Sequence, residues 1–139
     1  MAAIGTRLLK LEIDGAEFTG QVSAARIVSG EGDTDFVTFA DAAAGGAREY
    51  RIEFTAVQDA AAGSLWTEVF DNAGDTVPFT LMPYGNAVAS ATEPHFEGNA
   101  VISEPDGDLI GGEADASATA RFTIDCSWVL TGKPARVSA

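Results

Sequence analysis

Few side chains in this sequence have the type and spacing for chemistry. His95 is the only histidine and Cys126 the only cysteine in 139 residues. A hydrolytic triad needs a nucleophile, a base and an orienting group. No stretch around His95 suggests that set. Cys126 falls between Ile124 and Trp128 on the apolar side of an alternating segment. A thiol there is expected to be buried, to hold its proton and to be inert. A lone cysteine also excludes an internal disulfide, which fits folding in a reducing cytosol. No His or Cys pair has zinc spacing, and phosphate-cradling glycine loops are absent. The best metal candidate is Glu104, Asp106 and Asp108 around Gly107. Alternate acids on a turn can ligate calcium, but the glycine and glutamate positions of an EF-hand loop are missing. A solvated turn is the plainer reading, and Asp71 and Asp75 at the end of a helix read the same way. No catalytic residue, cofactor site or metal site is expected.

The charge pattern is more informative. Between Arg51 and Arg121 there is no Lys or Arg, while residues 52–120 hold twelve Asp and Glu. The formal total is −13. Such a surface lacks the clustered cations that bind nucleic acid through its phosphates. It remains compatible with a protein that lets nucleic acid pass without sticking. Apolar residues make up 46% of the chain, enough for the core of one globular domain spanning 1–139. The first residues show no basic stretch followed by an apolar core, so no secretory signal is expected. No apolar run reaches the ~20 residues of a membrane-spanning helix.

The elements that must position these residues are mostly strands, because the dominant period is two. Residues 6–13 read as a first strand, Asp14-Gly15 as a two-residue hairpin turn and 16–18 as the return. Residues 21–29 read as the next strand, and a loop holding Gly30, Glu31, Gly32 and Asp33 precedes Phe36-Val37-Thr38-Phe39. Residues 40–47, with their small side chains, read as a flexible loop. Residues 48–57 alternate cleanly, with Tyr50, Ile52, Phe54 and Ala56 on one face and Arg51, Glu53 and Thr55 on the other. One helix is expected over 64–72, with Ser64 as N-cap and Leu65, Trp66, Val69 and Phe70 as its apolar stripe. Residues 77–84 and 95–103 read as strands, with Pro78 at an edge or bulge. Residues 85–94 and 104–108 read as a loop and a turn. The last strand, 119–128, puts Phe122, Ile124, Cys126 and Trp128 on one face, and residues 132–139 read as a short polar tail. The expected fold is all-β with one short helix: a β-sandwich or open barrel of about seven or eight strands. Phe54, Trp66, Phe70, Phe122, Cys126 and Trp128 are its expected core.

The order of these segments resembles the major tail tube proteins of long-tailed bacteriophages, especially of high-GC hosts. The resemblance rests on the helix Leu65-Trp66-Thr-Glu-Val-Phe70 ending at Gly74 and on the strand Val77 to Pro83. Asn86 in a loop, Phe96-Glu-Gly98 and Ile110-Gly-Gly112 follow. A final strand with Phe122 and Trp128, ending in Gly-Lys-Pro134, completes it. About 70 residues are covered well. The resemblance implies a β-sandwich with a flanking helix, no enzyme and no cofactor. It also implies hexameric rings stacked into a hollow tube in the virion, assembled in the host cytoplasm and conducting viral DNA during ejection. The implied partners are copies of the chain and the tape measure, tail tip and tail terminator proteins; no membrane insertion is implied. Six copies at −13 would give a formal −78 per ring. Within that reading Glu53, Thr55, Thr123 and Asp125 are candidates to face the lumen. Asp41, Ala42, Ala43, Ala44, Gly45 and Gly46 are candidates for ring-to-ring contact, with the tail as a second. Competing readings are a tube subunit of a contractile tail or secretion system, and a monomeric β-domain that binds a small ligand or adheres through calcium.

Overall fold

The computed structural model describes residues 3–32, 36–45 and 48–138. Among these residues eight strands form two antiparallel sheets, an all-β sandwich with one short helix at its side. The strands are β1 (Lys10–Ile13), β2 (Ala16–Glu17), β3 (Val22–Glu31), β4 (Arg48–Val57), β5 (Thr76–Met82), β6 (His95–Val101), β7 (Thr123–Val129) and β8 (Ala135–Val137). Among the described residues two α-helices, α1 (Phe39–Ala43) and α2 (Leu65–Asn72), and a 3-10 turn over Thr19–Gln21 interrupt them. One sheet has the order β2-β1-β5-β6-β8 and the other β3-β4-β7.

Alternation explains the smaller sheet. In β4 the even positions Ile52, Phe54 and Ala56 are buried, and they pair with Trp128, Cys126 and Ile124 of β7. Phe54 and Trp128 meet edge to face at 4.8 Å between ring centroids, a favoured aromatic geometry. Leu11, Ile13, Val77, Phe79, Leu81, Ala100 and Ile102 close the core from the larger sheet and its flank. At one corner the sheets join. Leu130, just past β7, bridges to Ala100 of β6, and the Thr131 amide donates to the Asn99 carbonyl at 3.0 Å.

Pro78 does not lie in an edge strand: β5 is central, between β1 and β6. Its position is tolerated because β1 ends opposite it. Its carbonyl accepts from the Asp14 amide at 2.8 Å, so its nitrogen, which points the same way in an extended strand, faces the Asp14-Gly15 turn rather than the ladder. That turn has φ 53° and 80°, the positive pair a two-residue hairpin demands.

Helix α2 starts where its N-cap predicts. Ser64 Oγ accepts from the Thr67 amide at 3.2 Å and donates to the Asp59 carbonyl. Leu65 and Val69 face the core. Trp66 is half-buried and packs against the core, whereas Phe70 does not join it, which corrects the expectation for Phe70. They lie about 100° further round the helix, stacked on each other at 5.2 Å, with Trp66 Nε1 donating to the Leu109 carbonyl at 2.8 Å. Phe70 is 45% exposed. Ser64 itself is buried, so Ser64→Ala should cost towards the upper end of the about 0.5–2 kcal/mol range of N-cap losses. Urea unfolding would measure it.

Further expectations are corrected. Phe122 is 45% exposed and not core, because strand pairing of β7 starts one residue later and the alternation read back to 119 has no ladder to hold it. β1 begins at Lys10 rather than at 6. Residues 39–43 form α1 rather than a loop. Thr38 caps it by accepting from the Asp41 amide at 3.1 Å, while the Asp41 carboxylate accepts from the Thr38 amide at 3.3 Å, a reciprocal capping box. The expected C-terminal tail contains β8, which pairs with His95–Glu97 of β6.

Candidate functional site

The catalytic candidates resolve into structural roles. The His95 ring is 7% exposed. Its Nε2 lies 2.8 Å from the Asn86 carbonyl; a carbonyl only accepts, so Nε2 carries the proton. Asn86 Nδ2 donates in turn to the Val88 and Glu93 carbonyls at 2.6 and 3.0 Å. His95 thereby fastens the 83–94 loop over the larger sheet. Cys126 is 3% exposed. Burial, and then the negative charge of Asp125, push its thiol from the ordinary 9.0 up to about 12. Below pH 9 the folded and unfolded chains both hold this proton, so stability does not depend on it. Above pH 9 the unfolded chain releases it first, and stability should fall until about pH 12. Cys126→Ala should remove that component from a series of urea curves. A thiol reagent at pH 8 should be slow on the folded protein and fast in denaturant. Among the described residues no three His, Cys, Asp or Glu converge to hold a metal ion, Glu104, Asp106 and Asp108 included. No helix among them is long and apolar enough to cross a membrane.

The four lumen candidates share one surface. Glu53, Thr55, Thr123 and Asp125 all lie on the outer face of the β3-β4-β7 sheet, because β4 and β7 pair odd with odd: Thr55 opposite Asp125 and Val57 opposite Thr123. The Thr55 hydroxyl donates to Asp125 Oδ1 at 2.7 Å. Register adds one cation, Arg26, to Arg51, which strand alternation already placed on this face. Arg26 stands directly opposite Glu53. Arg51 pairs with Glu49 at 2.6 Å and reaches the Ser127 hydroxyl at 3.4 Å. The face therefore carries Arg26 and Arg51 against Glu49, Glu53 and Asp125, a formal −1. The rest of the protein's −13 lies elsewhere, with −2 on α2 and −4 over residues 102–122.

Two other surfaces stand out. β3 is an edge strand of ten residues, paired only with β4, and such an edge offers a row of backbone donors and acceptors to another strand. Beyond the β3–β4 hairpin, Phe36, Val37 and Phe39 are 82%, 51% and 97% exposed. Sequence reasoning passed over these three. The inter-ring candidates adjoin them: Asp41, Ala42 and Ala43 on α1, with Ala44 and Gly45 just beyond it, while Gly46 lies outside the described residues. Two aromatic side chains and a valine beside a run of small residues were a signal available in the sequence, since exposed apolar clusters mark interaction sites. Compared with known proteins, the chain matches no protein-family model, and no curated protein matches it.

Proposed function

We propose that this chain is a structural subunit of a phage tail tube. It forms hexameric rings that stack around a lumen through which viral DNA passes during ejection. It works in the virion with copies of itself and with tape measure, tail tip and tail terminator proteins, and it is not an enzyme. The observation that carries the reading is the smaller sheet: three two-faced strands with a ten-residue edge unpaired on β3. All four lumen candidates share its outer face. The segment order from α2 to β7 adds the resemblance.

The geometry refines how such a lumen would release DNA. If this face lines it, the wall carries about −6 per ring, six times the formal −1 of the face, and not the −78 of six whole chains. Non-adhesion then comes from cations matched by carboxylates. Arg51 is ion-paired with Glu49, and Arg26 stands directly opposite Glu53, whose charge offsets its pull on a phosphate. The remaining carboxylate, Asp125, tips the balance negative.

Sedimentation over a range of concentrations tests the reading. A species near 86 kDa, six times the 14.3 kDa chain, with heavier stacks above it, is expected. A 14.3 kDa species at every attainable concentration would count against it.

A further inference from the structure

We propose that the Phe36–Phe39 tip of one copy seats in an apolar groove at the end of the sandwich of a neighbouring copy. The inference rests on the tube reading, because it needs copies held side by side or end to end.

The groove has a cavity volume of about 580 Å³ and opens between the two sheets. Ile4, Tyr50, Phe96 and Pro134 form its apolar wall, and Lys133 and Arg136 lie on its rim. Among the described residues its lining includes no Asp or Glu, in a protein with 21 acidic and 8 basic residues. The tip has the opposite character. Segment 31–47 carries Glu31, Asp33, Asp35 and Asp41 and no Lys or Arg, around two phenylalanines. An apolar tip in a stretch of acidic sequence thus matches an apolar groove with a basic rim, both on the same chain. Such a match selects another copy over an unrelated partner.

The tip does not fill the groove of its own molecule. Ser29 and Tyr50, which line the groove, form a register pair two steps from Glu31 and Arg48, where the hairpin leaves the sheet. None of Phe36, Val37 and Phe39 is among the described residues that line the groove, and Phe39 stays 97% exposed. A projecting element beside its own complementary groove passes the contact on to the next copy. The contact joins different patches, so it closes a ring or propagates a stack. α1 supports this use: its capping box holds five residues in a turn of helix, so Phe39, its first residue, is presented on a fixed backbone and less order must be gained on docking.

The test mixes two variants, each with one added thiol: Ala40→Cys beside the tip and Ser29→Cys in the groove. Neither alone can join tip to groove within one molecule, and the native Cys126 is buried. Under mild oxidation the mixture should form a covalent dimer that neither variant gives alone. Adding Phe36→Ser and Phe39→Ser to the Ala40→Cys partner should cut its yield by at least about tenfold, the scale of aromatic anchors at interfaces. Both phenylalanines are exposed, so the melting curve should not move. Tubes without the mixed dimer would overturn the contact and leave the tube reading intact, as would tubes unaffected by the double serine variant. Mixed dimers without rings or tubes would uphold the contact and refute the tube reading. Neither dimer nor assembly would overturn both, and is the result expected if the groove serves a different protein or an apolar small molecule.

Discussion

Replacing Trp128 with alanine should destabilise the protein by about 3–5 kcal/mol, the usual cost of emptying a buried tryptophan site. Three features put this position at the severe end. The side chain is 0% exposed, its ring meets Phe54 edge to face, and its Nε1 donates to the Ser103 carbonyl at 3.0 Å. Alanine leaves a cavity between the sheets and an acceptor without its donor. Trp128→Phe keeps most of the volume and loses the donor, so it should cost about 1–3 kcal/mol. Urea unfolding of both separates packing from hydrogen bonding. Equal losses for the two variants would mean that the cavity does not govern the cost.

Gly85→Ala should be the most disruptive single-methyl change in the chain. Gly85 has φ +71°, and a Cβ there would run into the Leu8 carbonyl oxygen. A side chain at this φ costs about 1–3 kcal/mol, and the clash displaces backbone rather than a flexible side chain. The control is Gly63→Ala, at φ +82° with nothing within 4 Å of the added carbon. It carries the conformational cost alone. Gly85→Ala should therefore lose clearly more stability than Gly63→Ala in the same urea assay. Equal losses would show that the 3–9 segment does not pack against the 83–85 turn. The effect should reach assembly as well, because Ile4, four residues before Leu8, walls the groove proposed to receive the neighbouring tip.

Much of this architecture could be read from residues alone, and the reasons differ by element. β4 was legible to its last residue because its alternation persists for five periods with one face buried. Helix α2 was legible because Ser64 supplies a cap and Leu65 and Val69 an i, i+4 pair. Phe70 and Phe122 misled because periodicity says which side a residue faces, not whether anything covers that side. α1 was missed although Thr38 and Asp41 have capping-box spacing, since the alanines after them define no apolar stripe. β8 has three residues and exists through its pairing with β6, which no local pattern announces.

The candidate site divides in the same way. That Glu53 and Thr55 share a face with Thr123 and Asp125 follows from strand parity and one pairing. Arg26 joining them depends on the register of β3, which shifts at a bulge between Val22 and Ala24. That shift brings Arg26 to the outer face, whose formal charge would otherwise be −2 rather than −1. The groove draws on residues from 4 to 136 and has no sequence signature.

The central claim, that copies of this chain build a tube, is tested most directly by negative-stain electron microscopy of the purified protein, dilute and concentrated. Six-fold rings in the dilute sample and hollow stacks of them in the concentrated one are predicted. Separate particles of single-sandwich size in both samples would contradict the account.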